Sequence, residues 1–226
     1  MESNKKYKID LKCLVEHSFR DNSVIFLLFS NILSIVLAIF QNWSLITIML
    51  IYWFQSVTIG FFNFVRILTL KKFSTKNLKI NNRKVEPSEK TKFFIAFFFA
   101  FHYGLFHIVY LAFILGFGFL SIAIFGSKPP MPHPMDMIYI PLMGIMFFFN
   151  HMYSFLHNKK IDEDKIQNIG RIMFFPYIRI IPMHITVMIM FFLGNSAIVP
   201  FLILKTFADI AMHIIEHHNY DPLIKS

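Results

Sequence analysis

At 226 residues, 56% of them apolar and thirty of them phenylalanine, the chain is long enough for one compact bundle but has little polar surface for a water-soluble domain. Runs such as residues 97–99 and 147–149, all phenylalanine, would aggregate in water but can face lipid. The net charge of +9 does not mark a nucleic-acid binder, because the basic residues sit in short links between apolar stretches; the single cysteine, Cys13, excludes an internal disulfide and a thiolate metal cage.

The first 22 residues are mostly polar and lack the early apolar core of a signal peptide, so the first apolar run is expected to stay in the protein. Leu11, Leu14, Val15 and Phe19 fall at helical spacing, which predicts an amphipathic leader along the membrane surface over residues 1–22. A transmembrane domain over residues 23–217 and a short tail over 218–226 complete the chain.

Apolar runs of about twenty residues predict six transmembrane helices, over residues 24–40, 45–68, 93–118, 138–156, 172–193 and 197–213. The expected fold is therefore an all-α polytopic membrane bundle. Asp21, Asn22 and Ser23 are placed to cap the first span, Asp136 the fourth and Ser196 the sixth. Five basic residues precede the first span, eight lie between the second and third, and four between the fourth and fifth. The opposite links, 41–44, 126–135 and 194–196, hold only Lys128. By the positive-inside rule both termini are cytoplasmic, and the protein is a multi-pass protein of the cell membrane. The proline-rich link over residues 128–134 reads as a stiff extended connection. No internal repeat is visible.

Charged groups in hydrocarbon cost about 2.5–3.5 kcal/mol each even on lenient insertion scales, so those that persist need a partner or a purpose. With about 1.5 Å of rise per residue, Asn63, His102, Asn150, His151, Arg179, Asp209 and His213 fall at a similar depth, roughly 7–15 Å from the cytoplasmic ends of their helices. His107, His184 and Lys205 lie deeper. On the last span Lys205, Asp209, His213 and Glu216 follow one another at steps of three or four residues, along one helical face. In the fifth span Pro176 and Pro182 cannot donate to the carbonyls of Ile172 and Ile178, which leaves those oxygens in need of a donor or an ion. Gln55, Ser56 and Asn63 on the second span are suited to bonding neighbouring helices.

Three readings of this polar set stay open. A carboxylate and an imidazole at i,i+4 can share a cation, so His102, His184, Asp209 and His213 form a candidate site for zinc, iron or manganese; haem, on His102 with His184 or His213, has less support. The same residues can form a buried ion-pair network in which Asp209 neutralises Arg179 or Lys205. They can also relay protons. These correspond to a metal-dependent enzyme acting on a lipid-like substrate, to a structural membrane subunit, and to a proton-coupled transporter or channel for a small ion. No HExxH pair, nucleophile elbow or paired Glu-x-x-His motif is present.

Tyr52-Trp53 followed by Gly60, Asn63 and Arg66; His102-Tyr103-Gly104 with Phe106; Pro176-Tyr177, Arg179-Ile180 and His184; and Lys205 with Asp209, His213, Glu216 and His217 run in an order spanning nearly the whole bundle. In this order the chain resembles the integral membrane family catalogued as domain of unknown function 6498. The resemblance implies a multi-helix membrane fold and no particular activity. It also places an acid shortly after the Tyr-Trp pair, where this chain carries Gln55.

Overall fold

Ser44 begins the first long helix: its hydroxyl oxygen accepts the backbone N–H of Thr47 at 3.1 Å, which satisfies one of the donors a helix start leaves open. The helix, α1 (Leu45–Thr69), is the hub of the bundle, and its buried residues run from Leu45 to Ile67. The computed structural model describes residues 32, 35–36, 38–80, 82–126, 132–134 and 136–220. The predicted leader, the expected caps Asp21 to Ser23, most of the first span and residues 128–131 of the proline-rich link lie outside the described residues, as do residues 221–226 of the tail.

After α1 come three two-residue strands, β1 (Phe73–Ser74), β2 (Lys79–Ile80) and β3 (Arg83–Lys84). β2 and β3 pair antiparallel around a turn in which Asn82 takes a left-handed φ of 61°, a conformation asparagine tolerates. Ser88 then caps α2 (Glu89–Phe125), which ends at Gly126 with φ 67°. At 37 residues α2 is about 55 Å long, well beyond a hydrocarbon core of about 30 Å, so it tilts or projects. Its near end is tied back to α1: Lys92, buried, donates to Leu70 O at 3.1 Å and pairs with Glu89 at 2.8 Å.

α3 (Asp136–Asp164) follows, then β4 (Gln167–Asn168), which pairs parallel with β1. Asp136 is the first residue of α3, and its carboxylate holds α3 to α1 by accepting the Thr47 hydroxyl at 2.7 Å rather than a helix N–H. At its other end α3 runs eight residues beyond the predicted limit of Leu156, through a charged stretch that reads in sequence as a link.

The predicted fifth span is one path in three pieces. α4 (Ile169–Phe174) gives way to a tighter 3-10 turn (Phe175–Arg179) at Pro176, and α5 (Ile180–Leu193) resumes beyond it. A second 3-10 turn (Gly194–Ala197) leads into α6 (Ile198–Tyr220).

Contacts along α1 set the direction of each helix. Trp53, Ser56 and Phe64 meet His107, Tyr103 and Phe97 in turn, so α2 is antiparallel to α1. Phe54 lies against Gly144 and Arg66 against Asp162, so α3 is parallel to it. Asn63 meets Ile172 and Tyr52 meets Arg179, so the α4–α5 path returns antiparallel, and α6 runs back alongside with Phe201 on Tyr52.

Among the described residues, four helical segments, Leu45–Thr69, Glu89–Phe117, Asp136–Leu156 and Ile169–Ile189, are long and apolar enough to cross a membrane. Large apolar side chains stay exposed on their outer faces, among them Phe97, Phe101 and Ile108 on α2 and Ile145 and Phe149 on α3. Exposed apolar surface on this scale suits lipid rather than water.

Candidate functional site

The centre of the bundle is charged. Asp209, buried on α6, meets Lys205 Nζ one turn earlier at 2.8 Å through Oδ2 and Arg179 Nη2 at 3.2 Å through Oδ1. Arg179 is in place because of the break at Pro176, since the 3-10 turn delivers its side chain between α1 and α6. That turn is itself fastened to α1: Tyr52 Oη donates to Arg179 O at 3.0 Å, and Asn63 Nδ2 donates to Ile172 O at 3.1 Å, the carbonyl that Pro176 leaves without a helical donor. Lys205 Nζ stands 5.9 Å from the centre of the Tyr52 ring, within cation–π range.

Arg179 is only partly satisfied. Its Nε points to Met212 Sδ at 3.2 Å, a weak acceptor, and its buried Nη1 has no hydrogen-bond partner among the described residues. An unpaired buried donor on a charged group is costly and calls for an acceptor.

Two cavities flank the triad. One, of about 160 Å³, takes its α1 wall from residues 59–66 and includes Asn63, Arg66, His151 and Arg179. The other, of about 100 Å³, takes its α1 wall from residues 48–55 and includes Trp43, Tyr52, Gln55 and Lys205. Each cation lines its own cavity, and Asp209 holds both cations from between. Arg66 and Asp162 meet at the first cavity through two bonds, Nε to Oδ2 at 2.6 Å and Nη2 to Oδ1 at 2.7 Å. Such a two-pronged pair fixes the ends of α1 and α3 at one level.

The histidines take other partners. His102 Nδ1 lies 2.8 Å from Tyr177 Oη, with its ring stacked on Phe98. His184, on an exposed face of α5, has Nδ1 3.2 Å from Tyr110 Oη. His107 is buried and closed: Nδ1 faces Tyr103 O at 2.8 Å and so donates, which leaves Nε2 to accept the Ser56 hydroxyl at 2.9 Å. A larger cavity of about 330 Å³ between α1 and α2 touches His107 but is otherwise almost wholly apolar.

Of the residues picked out in the sequence, the structure brings together Asn63, His151 and Arg179 around one cavity, and Arg179, Lys205 and Asp209 in one ion network. Asn150 lies on an exposed face. His213 and Glu216 lie in α6, with side chains outside the described residues. Among the described residues no three His, Cys, Asp or Glu side chains are grouped to hold a metal ion, and His102, His184 and Asp209 each have separate partners. Sequence reasoning passed over Asp162 and Tyr110, and met Tyr52 and Tyr177 only within the family motifs. The tyrosines gave no sign of their partners, while Asp162 was hidden in a charged run, where the helical face of His151 and Phe155 carried on by seven residues would have found it.

Fold and site together define a multi-helix protein with four membrane-compatible helices around a buried Arg-Asp-Lys network. The chain belongs to the family of unknown function DUF6498, whose sequence profile matches residues 14–223. No curated protein and no solved structure matches it significantly.

Proposed function

We propose that the protein is a six-span membrane protein with both termini in the cytoplasm that moves a small solute or protons through its centre, along a path closed by Arg179, Asp209 and Lys205. The alternating directions of α1, α2, α3, the α4–α5 path and α6 support this topology, with residues 24–40 as the first span. The charge distribution supports its orientation, since the links rich in lysine and arginine fall at the end of α1 that carries Arg66.

One observation carries the functional reading: a single carboxylate holds two cations that line separate cavities, one on each half of α1. Gln55 and Asn63, one in each cavity, are separated by about 12 Å along the helix. Protonation of Asp209 removes the charge that draws Arg179 and Lys205 together, and each cation is then free to turn into its own cavity. Deprotonation closes the path again.

The test is flux. Purified protein in liposomes should dissipate an imposed pH gradient faster than empty liposomes, and D209N, which holds the path open, should dissipate it faster still. Gradient decay equal in wild-type, D209N and empty liposomes would remove proton movement from the account.

A further inference from the structure

Arg179 Nη1 faces the larger of the two cavities beside the triad, which it lines. Three features of that cavity bear on what fits. Its charged rim is already balanced, because the Arg66 fork is engaged by the Asp162 carboxylate. Its buried side-chain donor without a partner among the described residues is Arg179 Nη1, which carries two N–H groups. The remaining walls mix Asn63 and His151 with the apolar faces of Phe62, Phe155 and Phe175.

Charge selects the ligand further. Arg179, Lys205 and Asp209 together carry one positive charge, so a monoanion at Nη1 brings the group to neutrality. A phosphate dianion overshoots and faces repulsion from Asp162. A carboxylate oxygen can accept from an N–H of Nη1, and the phenylalanine walls can take an alkyl tail. A volume of about 160 Å³ is well above what one water needs and has room for a carboxylate with the start of a chain.

We infer that this cavity is a binding site for a monocarboxylate with an apolar tail, its carboxylate on Arg179 Nη1 and its tail among Phe62, Phe155 and Phe175. The inference rests on the transport reading for the ligand's role as cargo, but binding stands or falls separately. The ligand can enter from water as a short-chain acid or from the bilayer as a fatty acid.

The experiment is calorimetric titration of the full-length protein in detergent with octanoate, acetate, chloride and phosphate, and in lipid nanodiscs with oleate. Octanoate should bind at one site at least tenfold more tightly than acetate or chloride, with phosphate weaker still. R179M should lose binding at least tenfold while Asp209 and Lys205 remain as a balanced pair. I59W, which narrows the cavity and leaves every charge in place, should lose it as well, and covers the case in which R179M does not fold. Oleate competing with octanoate identifies the bilayer as a source, and octanoate binding that oleate leaves unchanged identifies water. Octanoate binding that survives in both variants, phosphate or chloride binding as tight as octanoate, or no octanoate binding at all overturns the site. Arg179-dependent binding without flux keeps the site and removes the transport reading; flux without octanoate binding does the reverse.

Discussion

Replacing Asp209 with asparagine tests the charge arithmetic at the centre of the bundle. In the native chain one buried carboxylate serves two partly buried cations, at 3.2 and 2.8 Å. Asparagine keeps the shape and can still accept hydrogen bonds, but it leaves Arg179 and Lys205 as like charges with no anion between them. Removing one partner of a buried ion pair costs about 3–5 kcal/mol, because the other charge stays desolvated. At about 2–4 °C per kcal/mol for a chain of this size, D209N should melt roughly 6–20 °C below the wild type in the same detergent. K205M should behave differently, since it leaves Arg179 and Asp209 as a balanced pair, and its loss should stay within about 1.5 kcal/mol. The double variant D209N/K205M should therefore be more stable than D209N alone. Thermal unfolding followed by circular dichroism reads all four proteins. If D209N melts no lower than K205M, or the second substitution brings no recovery, the reasoning from net buried charge is refuted.

The other expectations concern packing, the outer ion pair and metal. At Gly60 an added Cβ would lie 2.4 Å from Tyr103 Cε1, and that ring is held by Ser56 and Phe99, so G60A should cost about 1–3 kcal/mol in thermal unfolding; an unchanged melting temperature would mean that α1 and α2 can separate freely. A double-mutant cycle of R66A and D162A should show a coupling of about 1.5–3 kcal/mol, because the pair is two-pronged and partly buried, whereas additive losses would place Arg66 in solvent. Elemental analysis should find zinc, iron and manganese well below one per chain, since two cations already on Asp209 repel a third; stoichiometric metal lost in both D209N and H213A would restore the metal reading of His102, His184, Asp209 and His213.

What could be read in the sequence followed from periodicity and from the cost of burying charge. The 45–68 run and the helix Leu45–Thr69 agree because the run is bounded by Ser44, a capping residue, and by Lys71 and Lys72. Pro176 forecast both the interruption of the fifth helical path and a carbonyl at Ile172 in need of a donor, since the ring removes a definite bond. The end of α3 was not legible, because hydrophobicity marks where lipid ends and not where a helix ends. Residues 157–164 stay helical with their charges held by neighbours such as Arg66 and Lys71. Of the residues read at similar depth, Asn63, His151 and Arg179 line one cavity and Asp209 meets Arg179, but depth says nothing of rotation about the helix axis. His102 turned to Tyr177 and Asn150 to an exposed face for that reason. Tyr52 stood in a family motif, but its partner was not legible, because a tyrosine declares none until a backbone carbonyl such as that of Arg179 comes within reach.

The central claim is that the Arg179, Asp209 and Lys205 triad closes a path between two cavities that open to opposite sides of the membrane. Cysteine accessibility tests it directly, because Cys13 is the only native cysteine and is replaced with serine for the purpose. In that background Q55C and N63C are introduced separately, one in each cavity, and labelled with a membrane-impermeant thiol reagent from either face. The account predicts that N63C reacts only from the cytoplasmic face and Q55C only from the other, and that adding D209N opens both positions to both faces. Labelling of both cysteines from the same face, or a pattern that D209N leaves unaltered, would contradict it.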